Sequence, residues 1–283
     1  MSRTLARVFA ALLVAGVAFR ASGRADGPVR VRLATTTSVE DSGLLEALLP
    51  AFERSVPGIR IEALAVGTGK ALKLAERGDV DLVLVHAPDL EEDFLAKGLG
   101  ADAAWIMKND FVIVGPGNDP ARVRDAGTLG EALSRLSQSG AFFISRGDES
   151  GTHQKEKALW KEAGGVPGSY LESGQGMCAT LRIAGEKGAY TLSDRSSFLA
   201  CGKDLGMQIL FQGDPSLENL YRVILVNPKR HPHVRYDEAK RFLNWLVSEE
   251  GQQQIGSYER DGIVLFHPFS RSIQQAPPAG PTR

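Results

Sequence analysis

A run of small, hydroxyl-bearing residues, Ala34-Thr35-Thr36-Thr37-Ser38, sits where a strand gives way to a helix. Before it, Val29-Arg30-Val31-Arg32-Leu33 alternates apolar and polar residues as a half-buried strand does; after it, residues 41–49 have helical periodicity. Hydroxyls and main-chain N–H groups therefore meet at the carboxyl end of a strand beside a helix N-terminus, where unpaired N–H groups and the helix dipole favour an anion. The same residues would also cap the helix and close a tight turn, and this loop alone does not separate the two roles.

Three more loops share this character. Val66-Gly67-Thr68-Gly69-Lys70 joins a strand to a helix but lacks the Gly-x-x-x-x-Gly-Lys-Ser/Thr spacing of a P-loop. Ser145-Arg146-Gly147-Asp148-Glu149-Ser150-Gly151-Thr152-His153 is the richest in donors: Arg146 brings five N–H groups and a permanent charge, and Ser150 and Thr152 bring hydroxyls. Asp148 could hold the guanidinium in a bidentate pair, offsetting part of its charge. An Arg–Asp surface pair beside a Ser/Thr helix cap is the alternative. The fourth loop, residues 188–197, offers Thr191 and Ser193, with Ser193 or Asp194 also able to cap the short helix that follows.

The elements that must position these loops alternate. Strand patterns fall at 59–64, 80–85, 111–114, 141–144, 207–211 and 221–226, and helical patterns at 41–55, 69–77, 129–136, 152–163, 176–187 and 236–248. This order predicts an α/β fold with largely parallel sheets, whose ligands collect at the carboxyl ends of strands. No internal repeat is present, and the Pro-rich polar end, 274–283, is expected to be disordered.

Arg3 and Arg7 precede an apolar run, 8–19, too short to span a bilayer and followed by small residues, the pattern of a secretory signal peptide; an uncleaved anchor is the alternative. Loss of residues 1–25 would take four arginines and no acids from 33 basic and 34 acidic residues, leaving a net charge near −5. Bulk attraction to nucleic acid or anionic lipid is then not expected, and an anionic ligand must be held by local dipoles and a placed cation. About 258 remaining residues suffice for two cores. Cys178 and Cys201 would meet an oxidising compartment, where pairing is open to them.

Enzyme chemistry has thin support. Ser150 and His153 lie one helical turn apart, the basis of an alternative reading as a secreted serine hydrolase, but no Gly-x-Ser-x-Gly elbow surrounds them. His86, His231, His233 and His267 form no zinc pattern with the cysteines, so no metal cation is expected. Trp105, Trp160 and Trp245 read as core or interface residues.

The four loops, together with Asp81-Leu82-Val83-Leu84-Val85-His86-Ala87-Pro88, Asn109-Asp110-Phe111-Val112-Ile113-Val114-Gly115-Pro116 and Gly174-Gln175-Gly176-Met177, resemble the TupA-type tungstate-binding proteins. These are periplasmic components of oxyanion ABC transporters, related to ModA-type molybdate binders, and the resemblance runs over nearly the whole chain after residue 25. It implies a two-lobed periplasmic binding protein fold of type II, with two parallel or mixed sheets joined by crossing strands and the anion in the cleft. The implied division is a signal peptide at 1–25, one lobe from 26–110 plus 218–270, a second from 111–217, and a disordered tail at 271–283. The implied ligand residues are Thr36, Thr37, Ser38 and Thr68 in one lobe and Arg146, Ser150, Thr152 and Thr191 in the other. The implied role is capture of tungstate for ABC permease membrane subunits by a monomer without a cofactor; molybdate or another tetrahedral oxyanion, including phosphate, is the alternative ligand. Two departures, Lys108 before Asn109-Asp110 and Cys178 after Gly176-Met177, bear on hinge packing and local redox behaviour.

The chemistry of the loops agrees with this class. Tungstate carries no proton at neutral pH and wants donors only, whereas hydrogen phosphate gains from a carboxylate acceptor. Asp148 and Asp194 fit a tungstate site if each faces an arginine. Neither the anion nor the proposed donors titrate between pH 7 and 9.

Overall fold

The computed structural model describes residues 27–260 and 262–269. The expected signal peptide and the expected disordered tail lie outside these residues.

The first strand, β1 (Val29–Thr36), runs into a short helix, α1 (Thr37–Ser42), which breaks at Gly43 before α2 (Leu44–Ser55). Gly43 has φ 80°, a conformation that glycine adopts without a Cβ penalty, and it splits what the periodicity presents as one helix. Helix formation thus begins at Thr37, inside the hydroxyl run and four residues earlier than the apolar periodicity indicates. There follow β2 (Ile59–Val66), α3 (Thr68–Glu76), β3 (Leu82–Val85), α4 (Pro88–Ala96) and the long strand β4 (Gly100–Pro116). Next come α5 (Leu129–Ser139), β5 (Phe143–Ser145), α6 (Gly151–Glu162), β6 (Tyr170–Glu172), α7 (Met177–Lys187), β7 (Thr191–Asp194), α8 (Arg195–Cys201) and β8 (Met207–Phe211). The chain returns through β9 (Glu218–Val226) to α9 (Tyr236–Leu246) and α10 (Glu249–Gly256), and closes with three two-residue strands, β10 (Glu259–Arg260), β11 (Ile263–Val264) and β12 (His267–Pro268).

β4 belongs to both halves of the molecule. Through Asp110 it pairs antiparallel with β9, in a sheet ordered β2-β1-β3-β9-β4-β12. From Phe111 onward it pairs with β7 and β8, and the parallel β5–β6 ladder joins that second sheet through the Phe143–Tyr190 bridge just ahead of β7. The sheets are mixed, parallel at β2-β1-β3 and β5–β6 and antiparallel wherever β4 or β9 takes part, because a strand that carries the chain across and one that carries it back run in opposite senses.

Alternation along the strands feeds four cores, one on each face of each sheet. In the first sheet Leu33, Tyr221 and Val223 pack with Phe52, Phe242 and Trp245 of the helices on one face, while Ala34, Ile224 and Val226 pack with Leu72 and Phe94 on the other. In the second, Phe111 and Ile113 face Leu133 and Trp160, and Val112 and Val114 face Leu181 and Phe198. β3 is buried on both faces, hence its unbroken Leu-Val-Leu-Val run.

The first half of β4 escaped the periodicity analysis. Gly100-Ala101-Asp102-Ala103-Ala104 lacks the β-branched residues that mark a strand, and its conformation comes from pairing with β9. Of the two departures, Lys108 forms an ion pair with Glu218 across β4 and β9, and Cys178 is disulfide-bonded to Cys201, with Cα atoms 5.3 Å apart. That bond ties the start of α7 to the end of α8. It closes a loop with a sequence separation of 23 residues, for which lost chain entropy corresponds to about 3 kcal/mol. A Cys178→Ser, Cys201→Ser double variant should therefore unfold at lower urea concentration than the oxidised protein; an unchanged midpoint would show that the bond constrains little.

Candidate functional site

The four loops meet where the two lobes face each other. Thr36 ends β1, Thr37 and Ser38 open α1, and Thr68 opens α3. Arg146 follows β5, Ser150 is the N-cap of α6, Thr152 lies in its first turn, and Thr191 starts β7. Loops from the two halves touch: a Cβ on Gly67 would lie 3.7 Å from the Asp148 carbonyl oxygen, and one on Gly69 3.6 Å from that of Glu149. The Arg146 Nη2 is 3.4 Å from Thr37 Oγ1.

Arg146 is 2% exposed, a full charge taken almost out of water. Its Nη2 donates to Asp148 Oδ2 at 2.5 Å, and Asp148 Oδ1 accepts the Ser150 N–H, so this carboxylate faces the guanidinium and its own turn. The Arg146 Nε has no hydrogen-bond partner. Neither do the hydroxyls of Thr68 and Thr152, both fully buried. Unpaired buried polar groups are rare and costly, about 1–3 kcal/mol each, and all three of these can donate. Thr68 is flanked by the two glycines that abut residues 148–150, and Arg146 and Thr152 bracket that same stretch, so three unsatisfied donors lie on neighbouring loops of the two lobes.

The other expected ligand residues each have a partner within the protein. The Ser150 hydroxyl accepts the His153 N–H as a helix cap, and Thr191 Oγ1 makes a long 3.4 Å bond to the Leu192 carbonyl. Thr36 Oγ1 and Ser38 Oγ lie 3.1 Å apart, and Ser38 Oγ is 3.2 Å from His86 Nε2. The His153 ring does not approach Ser150 as a base would; its Nδ1 accepts the Glu149 N–H. The pair on which the hydrolase reading stood is thus a capped helix turn.

Asp194 does not face an arginine, as the donor-only argument asked of it. Its Oδ1 caps α8, accepting from the Ser196 hydroxyl and the Ser197 N–H, while its Oδ2 is buried without a partner and Arg195 pairs with Asp110. Across the cleft, Asp41 of α1 has its pKa raised, first by burial and then by the Asp194 and Glu40 charges, with Arg146 opposing.

Three further groups were not singled out by sequence reasoning because only tertiary burial makes them unusual. His86, after β3, stacks on Tyr221 at 4.7 Å, and burial pushes its pKa down to about 4, so the ring is neutral at physiological pH. Glu156, on α6 beside the Arg146 main chain, is pushed up to about 7, chiefly by burial. Glu91, whose carboxylate accepts the Ala87 N–H next to His86, is pushed up to about 8 by burial. Among the described residues no group of three or more His, Cys, Asp or Glu side chains is arranged to hold a metal ion.

Two α/β lobes joined by crossing strands, with unpaired donors from both lobes in the cleft, define a solute-binding protein of the periplasmic type. A model of the PBP superfamily domain matches residues 22–250. The chain is 44% identical over 242 residues to the tungstate-binding protein TupA of Peptoclostridium acidaminophilum, covering 83% of this chain and 84% of that one. Among solved structures it resembles the tungstate ABC transporter protein of Geobacter sulfurreducens (50% identity, 81% of this chain and 98% of that one, TM-score 0.75) and TupA of Desulfovibrio alaskensis G20 (43% identity, 86% and 99%, TM-score 0.75). The chain belongs to the TupA family of periplasmic binding proteins, and it is not an enzyme.

Gly151 shows how closely the lobes approach. A Cβ there would stand 2.7 Å from the His86 carbonyl oxygen and 2.8 Å from its ring. Gly151→Ala should leave each lobe folded but hold the two apart, at about 1–3 kcal/mol of overpacking. Titration with tungstate should then show affinity weakened about five- to hundredfold. Unaltered affinity would mean that this contact is absent from the loaded form.

Proposed function

We propose that this protein captures tungstate as a tetrahedral dianion between its lobes and presents it to the membrane subunits of an ABC permease. The observation that carries this reading is the set of buried donors without partners, Arg146 Nε, Thr68 Oγ1 and Thr152 Oγ1, in a chain similar to tungstate binders over most of its length. Thr37, against Arg146 Nη2, is the fourth direct contact, and Thr36, Ser38, Ser150 and Thr191 shape the loops around the anion. One lobe comprises residues 26–110 and 218–270 and the other 111–217; β4 and β9 are the crossing strands. The chain acts as a monomer, exported by a signal peptide at residues 1–25 that is cleaved.

Capture follows from the division of donors. In an open form each lobe holds half of a site; the anion bridges them and favours closure through contacts that only the closed form makes. No protein proton is needed by the dianion, and the single placed cation, Arg146, sits in a chain of negative net charge, so affinity rests on local geometry more than on steering.

Calorimetric titration with tungstate, molybdate, sulfate and phosphate tests the reading directly: tungstate should bind tightest, and a preference for phosphate would overturn it. In Arg146→Ala, charge-assisted bonds of about 1.5–3 kcal/mol each are lost, so affinity should fall at least about tenfold with the fold intact. Lysine should rescue only in part, because it keeps the charge without the planar fork.

Glu156 adds a pH dependence that the loops alone do not contain. Its carboxyl, ordinarily ionised above 4.5, stays protonated to about 7. Raising pH from 6 to 9 therefore adds a negative charge behind Arg146 and should weaken tungstate binding. A bound dianion opposes the same ionisation, so the loaded protein releases that proton at higher pH. Glu156→Gln should flatten the affinity profile across this range; a slope that persists in the variant would assign the dependence to another group.

A further inference from the structure

Seven buried side chains form a continuous path from the first loop to the far lobe. Thr36 Oγ1 and Ser38 Oγ are 3.1 Å apart, Ser38 Oγ and His86 Nε2 3.2 Å, and His86 Nδ1 and Asn219 Oδ1 3.0 Å. Asn219 Nδ2 donates to Asn109 Oδ1 at 2.7 Å, and Asn109 Nδ2 donates to Ser196 Oγ at 3.4 Å. Ser196 in turn donates to Asp194 Oδ1. Each of these residues is at most 5% exposed. Asn109 and Asn219 are directly paired on the two crossing strands, one residue before β4 leaves the first sheet.

The direction of every bond follows from one amide. Asn219 Nδ2 has two acceptors, Asn109 Oδ1 and Tyr221 Oη, so its Oδ1 is the atom facing His86. A carbonyl oxygen only accepts, hence His86 Nδ1 carries the hydrogen. The ring is neutral, so Nε2 is a bare acceptor and the Ser38 hydroxyl must donate to it. With its only hydrogen used, Ser38 accepts from Thr36. All six bonds thus point the same way and end on a carboxylate, an arrangement in which successive bonds polarise one another.

We propose that this relay, running from Thr36 to Asp194, keeps the Thr36 and Ser38 hydroxyl hydrogens turned away from the anion and makes His86, Asn219 and Asn109 positioning residues for the first loop. The consequence is specific: the loop meets the anion through Thr37 and main-chain N–H groups, while its two flanking hydroxyls anchor it to the hinge. The relay also spans the hinge. Its longest link, Asn109 to Ser196, joins a crossing strand to α8 of the second lobe, so lobe rotation acts on the end of a chain whose other end is the anion loop. Reversal would require both amides to flip and Ser196 to leave Asp194. The proposal rests on the cleft being the anion site, but the state of the relay is readable without any ligand.

Long-range 1H–15N NMR of the histidine rings tests it on the intact protein, free and with tungstate. His86 should show a protonated, slowly exchanging Nδ1 and an unprotonated Nε2 in both forms. The opposite tautomer in the loaded protein would overturn the proposal, since Ser38 would then be free to donate to the anion. Asp194→Asn retains a good helix cap but replaces the carboxylate by an amide that both donates and accepts; it should populate both tautomers, and a wild-type spectrum would show that Asp194 does not set the direction. His86→Leu removes the acceptor for Ser38 and His86→Gln restores one, so tungstate affinity should fall about tenfold in the first and recover in part in the second. Equal affinity in both would remove the positioning role. Failure of the wild type to bind tungstate, with the Nδ1–H tautomer present, would overturn the choice of ligand and leave the relay standing.

Discussion

Burying the Arg146 guanidinium is the constraint on which the rest of this site turns. A charge moved out of water must be paired and hydrogen-bonded, or the fold loses several kcal/mol. Asp148 meets part of that need through Nη2 and is itself held by the Ser150 N–H at the start of α6. The Nε stays unsatisfied, and so do the buried hydroxyls of Thr68 and Thr152 around it. In the proposed mode of capture a dianion would accept from all three. Groups of this kind suit a ligand that accepts and does not donate, which is the chemistry of a fully deprotonated oxyanion.

The two lobes must deliver these groups without strain, and the crossing strands make that possible. Because β4 pairs with β9 through Asp110 and with β7 and β8 beyond it, the connection between the lobes is an antiparallel ladder rather than a loose linker. Polar residues at the centre of such a ladder need partners, and Asn109 and Asn219 find them in each other, in Ser196 and in His86. Hinge and binding loop are therefore joined by the same buried bonds. The Lys108–Glu218 pair braces these strands at the surface, and the Cys178–Cys201 bond fixes α7 to α8.

Negative charge gathers around the cleft. Asp41 and Asp194 approach from opposite lobes, and their mutual repulsion helps to raise the Asp41 pKa while Arg146 opposes it. Glu156 and Glu91 are kept protonated to near neutral pH by burial, which spares the site two further negative charges. With a net charge near −5 for the chain without residues 1–25, these local neutralisations matter more than the long-range field.

The sequence by itself determined the alternation of strands and helices and the four hydroxyl-rich loops at strand ends, because period-2 and period-3.6 patterns and donor-rich turns are local properties; the class of ligand came from the resemblance that those motifs carry. The sequence also offered Arg146 as the candidate cation. Tertiary structure alone decided which hydroxyls are free. Thr68 and Thr152 look no different in sequence from Ser150 or Ser38, yet the first pair is buried without partners, whereas Ser150 caps a helix and Ser38 is bound to a histidine 48 residues away. Likewise no local signal distinguishes His86 from a histidine in a turn. Its neutrality and its link to Asn219, 133 residues on, exist only because β3 and β9 are neighbours in one sheet. Hydrogen-bond satisfaction and desolvation are properties of the assembled interior, and a pattern read along one chain does not contain them.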